Sequence, residues 1–186
     1  IALGGVLAGP SAGWQADLLG ISVYGGMTVA MMLVASWLCE KVLLSRFNNT
    51  KEVVEDQNLG TAFVEAGVHI ANGLILLAIQ QGSGAWWIGV VFWALAQVAL
   101  MVVGLVYEKA TTHSIHDELE RDNAAVGLAF AGVLVGMGNI ISLAVAGDFT
   151  SWKDSLITFG ADVAFGLVIL LVIKRLTDVV LAPGVS

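Results

Sequence analysis

Four side chains recur at helical spacing and could do chemistry together. Thr61, Glu65, His69 and Asn72 follow one another at intervals of four, four and three residues, which sets them on one stripe of a helix. A carboxyl and an imidazole one turn apart can pass a proton, hold a cation or orient a small polar solute. Two further polar residues, Gln97 and Asp162, stand alone in apolar runs. At about 1.5 Å per residue, Glu65 lies about 9 Å and His69 about 15 Å along the run that begins at Leu59. Gln97 and Asp162 lie about 15 Å along runs that begin at Trp86 and Trp152 and travel the opposite way. Glu65, His69, Asn72, Gln97 and Asp162 are therefore expected to meet midway along their helices. Two readings stay open: a proton or ion relay or small polar binding site, and a satisfied buried network that fixes helix register.

The surroundings of these residues are those of a bilayer. The chain has 186 residues, 58% hydrophobic and 12% charged, with a mean hydropathy of +0.87, whereas a soluble domain carries about 25% charged residues. Several apolar runs reach about 20 residues, the length that crosses a hydrocarbon core of about 30 Å. Long unalternating runs in lipid are helices, because a helix satisfies its own backbone. A charge at mid-depth costs at least about 2.5 kcal/mol on insertion scales, so the polar residues must face protein or water.

The predicted fold is an all-α, polytopic transmembrane bundle of five helices. They run over Leu18–Leu44, Leu59–Ile79, Trp86–Tyr107, Asn123–Ala146 and Trp152–Ile173. Residues 1–17 form a lead-in or the remnant of a signal segment, broken around Gly9-Pro10, and residues 175–186 form a tail. Acids at Glu52, Glu55 and Asp56 precede the second helix, where they favour a helix N-terminus. Of the eight basic residues, Lys153 alone lies on the side of the short Gly-rich turns; Lys41, Arg46, Lys51, Lys109, Arg121, Lys174 and Arg175 lie on the other. The positive-inside rule then makes the long connectors and the C-terminus cytoplasmic and the N-terminus external.

The chain also repeats itself. At an offset of 65 residues Asn58 aligns with Asn123, Gly67 with Gly132, Gly73 with Gly138, Trp87 with Trp152, Gln97 with Asp162 and Lys109 with Lys174. The duplicated unit is a helical hairpin, residues 55–109 and 120–174. Two crossings return the second copy to the same side, so the repeats are parallel. Asn58 and Asn123 open their helices. Gly60, Gly67 and Ala71 share one face of the first copy, and Gly132 and Gly136 occupy that face in the second. Small residues let helix backbones approach, which drives association in lipid. The polar stripe has no such counterpart: Thr61, Glu65, His69 and Asn72 align with Val126, Phe130, Leu134 and Met137.

Other chemistry finds little footing. A lone cysteine, Cys39, excludes an intrachain disulfide and a cysteine metal cluster. Glu65 and His69 alone are a weak metal pattern, His69 has no second intramembrane histidine for haem, and His113 and His116 read as a solvated loop. No nucleophile elbow, phosphate loop or catalytic carboxylate pair is present, so neither an enzyme nor a cofactor is expected. The formal charge of −7 sits largely in loops and at helix ends and suggests no nucleic-acid partner.

The repeated signature has an Asn after a polar residue, a Gly nine places on and another Gly six further. In Glu55–Leu76 and Glu120–Ile141 it resembles a bacterial inner-membrane family catalogued as domain of unknown function 350, whose members often carry the unit in tandem. The resemblance implies a multi-pass protein of the bacterial plasma membrane with no established catalytic residues. Its shorter relatives have four helices, and Glu65 and His69 are not part of the signature. With so many small-residue faces, the expected partners are lipid and either further copies of the chain or other membrane subunits. The expected role is a small scaffold or subunit of an oligomeric membrane complex. The alternative is a proton or cation channel or transporter that uses the Glu65, His69 and Asp162 cluster.

Overall fold

Seven α-helices and no strand occur among the described residues of the computed structural model, which are 1–7, 11, 13–45, 51–82 and 85–181. The helices are α1 (Ala2–Leu7), α2 (Trp14–Leu43), α3 (Leu59–Gln81), α4 (Trp86–Ala110), α5 (Ile115–Glu120), α6 (Ala124–Val145) and α7 (Trp152–Leu181). Five of them, α2, α3, α4, α6 and α7, are long and apolar enough to cross a membrane. The expected break at Gly9-Pro10, the basic Arg46, the tip of the first short turn (83–84) and the last residues of the tail (182–186) lie outside the described residues.

Each copy of the repeat starts its principal helix in the same way. Asn58 and Asn123 are the N-caps, accepting from the backbone N–H of Thr61 at 2.9 Å and of Val126 at 3.3 Å. Such a cap satisfies a donor that the helix itself cannot. The residue before each cap, Gln57 or Asp122, takes φ +55°, a left-handed turn that aims the chain into the helix. These equivalent positions give the repeat its shape as well as its sequence.

The two capped helices then run side by side and parallel through the middle of the bundle. Gly60 lies against Asn123 and Gly127, Gly67 against Ala131, and Ala71 against Gly138. A Cβ at Gly138 would lie 2.5 Å from that of Ala71, one at Gly67 would lie 2.8 Å from the Ala131 Cα, and one at Gly127 would overlap the Gly60 backbone. Only glycine permits so close an approach. On α3 the contact uses Gly60, Gly67 and Ala71, the face expected from the sequence. On α6 the expected residues Gly132 and Gly136 point into open space, and Gly127, Ala131 and Gly138 make the contact instead. The α6 sequence is small on two faces, and only the partner's position chooses between them.

The remaining helices close around this pair. Leu100 and Val103 of α4, Ile75 and Leu76 of α3, and Leu134, Met137 and Ile141 of α6 are fully buried between them. Ile115 and Leu119 of α5 join the buried core at the connector end with Leu43 of α2 and Leu44, which follows it. Trp152 stacks on Phe92 at 6.2 Å at the turn end. Helix α7 leans on α6 through Gly166, whose Cα faces Ile140 and Met137, and leaves most of its surface outside the bundle.

Three local segments depart from the reading above. The lead-in holds a short helix, α1, and Ile1 covers Gly73. The second connector folds as α5 because Ser114 caps it, accepting from Asp117 N–H at 3.2 Å. The tail continues α7 to Leu181, supported by a Lys174–Asp178 ion pair of 2.7 Å one turn apart.

Gly127→Ala and Gly138→Ala are expected to destabilise the bundle by about 1–3 kcal/mol, the usual range for overpacking. Gly132→Ala and Gly136→Ala should be neutral or stabilising by up to about 1 kcal/mol through helix propensity. Unfolding of the four variants in mixed micelles measures the difference; equal losses at all four would contradict this arrangement.

Candidate functional site

The polar stripe of α3 turns toward α2. His69 Nε2 lies 3.2 Å from Ser36 Oγ, and His69 Nδ1 lies 2.8 Å from the Glu65 carbonyl oxygen. A neutral imidazole meets this pair by donating from Nδ1 and accepting the Ser36 hydroxyl at Nε2. Asn72 is fully buried; its amide donates to the Val68 carbonyl at 3.0 Å and reaches Cys39 Sγ at 3.9 Å. About two turns beyond the stripe, Gln80 donates to Thr28 Oγ1 at 2.8 Å. Glu65 is half-buried and Thr61 fully buried. Three polar contacts thus join α2 and α3: Ser36 to His69, Cys39 to Asn72 and Thr28 to Gln80.

The five residues expected to meet do not form one cluster. His69 and Asn72 reach α2, and Glu65 takes part through its backbone carbonyl. Gln97 is buried on α4, and among the described residues neither its amide nitrogen nor its amide oxygen has a hydrogen-bond partner. Asp162 lies exposed on α7 and has no ion pair among the described residues. The reason is lateral. Helix α2 borders the stripe on α3, leaving His69 exposed beside Ser36, while α7 packs on α6 and α4. Matching depth is not enough when the helices are not neighbours.

Sequence reasoning passed over a second polar centre, at the connector end. Asn58 does more than cap α3: its amide also donates to the Leu119 carbonyl at 2.6 Å and to Glu52 Oε2 at 3.1 Å. Asp122 accepts from the backbone N–H of Leu59 at 2.8 Å, so the second connector caps the first repeat's helix. Asn123 donates to Glu118 Oε2 at 2.7 Å, and buried His116 pairs with Glu108 at 2.5 Å. The signal was present in the paired Gln57-Asn58 and Asp122-Asn123. At the turn end, a crevice of about 1290 Å³ opens among α2, α3, α4, α6 and α7, with Gln80 in its wall.

Comparison with known proteins agrees that the chain is a tandem pair, though with its division inside the hairpin of residues 55–109. The family model described as Domain of Unknown Function (DUF350) matches residues 1–79 and 83–186. The chain belongs to that family. Its two matched segments divide at the turn between α3 and α4, and each contains one Asn-capped principal helix. No curated protein and no solved structure matches the chain.

The double role of Asn58 has a measurable consequence. Asn58→Ala should cost about 2 kcal/mol, the upper end for loss of a cap, because it removes the link to Leu119 as well. Asn123→Ala, at a half-buried position, should cost about 1 kcal/mol. Equilibrium unfolding of the two variants gives the order, and a reversed order would contradict the link between repeats.

Proposed function

We propose that this protein is a subunit or scaffold of an oligomeric membrane assembly. The observation that carries the reading is Asp162, a carboxylate exposed on the outer face of α7, ten residues from the start of a helix fit to span a bilayer. Left against acyl chains it would cost about 2.5–3.5 kcal/mol. A neighbouring protein surface removes that cost, and the sparsely covered α7 offers it ample room.

A single observation favours a transport role as a second reading. Gln80 both bonds Thr28 of α2 and lies in the wall of the crevice, on the same helix as Asn72, His69 and Glu65.

Extraction of the protein from its native membrane into lipid nanodiscs, followed by mass measurement, tests the first reading. Particles with more than one protein chain are expected; a single chain with lipid alone would overturn it. Proton flux into liposomes tests the second, where equal leak in wild type, Glu65→Gln and His69→Leu would leave assembly as the role.

A further inference from the structure

The exposed face of α6 points to the identity of one partner. Ala125, Ala129, Gly132, Gly136 and Asn139 recur along one stripe of that helix, and all five are exposed. Nothing lies within 4 Å of a Cβ built at Gly132 or Gly136. The same stripe of the other repeat, Gly60, Gly67 and Ala71 on α3, seats a parallel helix through backbone contact. One copy of the stripe is thus filled by a helix of this chain, and its duplicate is open to lipid.

Asn139 supplies a separate observation. It is exposed fifteen residues into α6, about 22 Å along a span of about 30 Å, and therefore inside the hydrocarbon layer. Its side chain makes no hydrogen bond among the described residues, since only its backbone carbonyl is engaged, by Ser142 at 2.7 Å. Water is not at hand there to satisfy it. A carboxamide both donates and accepts, so two asparagines related by a two-fold axis satisfy each other. A two-fold axis along the membrane normal also keeps both helices parallel and presents one patch to itself.

We infer that two copies of this chain pair through α6, with Gly132 and Gly136 in backbone contact across the axis and Asn139 bonded to its counterpart. The inference rests on the subunit reading above and names the partner that reading leaves open. The contact uses small residues four apart, the spacing at which transmembrane helices approach most closely. Leu128 and Leu143, 57% and 66% exposed, flank the stripe and would be covered in the pair.

Disulfide trapping in native membranes tests it. In a Cys39→Ser background, Asn139→Cys should yield a disulfide-linked dimer on mild oxidation, whereas Phe165→Cys on α7 and Leu33→Cys on α2 should not. With Asn139→Cys retained, Gly132→Leu and Gly136→Leu should reduce the trapped dimer to background. Both glycines face open space, so these changes leave the bundle intact, which the unfolding midpoint of the single chain checks. In chains without the introduced cysteine, Asn139→Gln should preserve the nanodisc dimer mass and Asn139→Leu should diminish it. No trapping at position 139, or a dimer indifferent to both leucines, would overturn the α6 pairing. If nanodisc particles then still hold several chains, the subunit reading survives and the partner is another surface or another protein. If they hold one chain, both fail.

Discussion

The backbone contact between α3 and α6 is the constraint on which the rest of the structure depends. It requires Gly60, Gly67, Gly127 and Gly138 at the crossing, because apolar side chains gain little by leaving lipid and helices associate there through close approach. It also requires that both helices begin at the same level. The caps at Asn58 and Asn123, each preceded by a left-handed residue, set that level twice. Asp122 then ties the two starts together by capping α3 from the second connector. Register, parallel direction and separation thus follow from a few small and polar residues.

Around that pair, the polar residues fall into distinct environments. The α2–α3 seam gives His69 a hydroxyl and a carbonyl, and gives Asn72 a carbonyl and a thiol. Gln97 is enclosed on α4. Asp162 and Asn139 face outward from α7 and α6, where lipid offers them nothing. Exposed His69 has partners within the chain, so Asp162 and Asn139 are the outward groups that the proposed assembly would satisfy. The small-residue stripe of the second repeat is open where that of the first is occupied.

Much of the architecture was legible in the residues themselves. The starts of α3, α4 and α7 at Leu59, Trp86 and Trp152 are marked by an Asn cap or by interfacial tryptophans, signals that act locally. The shared face of Glu65, His69 and Asn72 follows from spacing alone. What spacing does not carry is the identity of the neighbour: Asp162 has the right depth to meet His69, yet α7 packs on α6 and α4 while His69 borders α2. For the same reason Gly132 and Gly136 looked equivalent to Gly67, although α6 turns Gly127 and Gly138 toward its partner. The short helices α1 and α5 were illegible because six residues have little helical stability without the surfaces they dock on.

The central claim is that α3 and α6 touch, in parallel, with Gly67 opposite Ala131. A Cβ at Gly67 would lie 2.9 Å from the Ala131 Cβ, so a pair of cysteines there need part by only about 1 Å to reach disulfide distance. The direct measurement is oxidation of Gly67→Cys/Ala131→Cys in a Cys39→Ser chain carrying a protease site in the turn between α3 and α4. The account predicts that the cut chain stays joined until reduced. Halves that separate without reduction would contradict it.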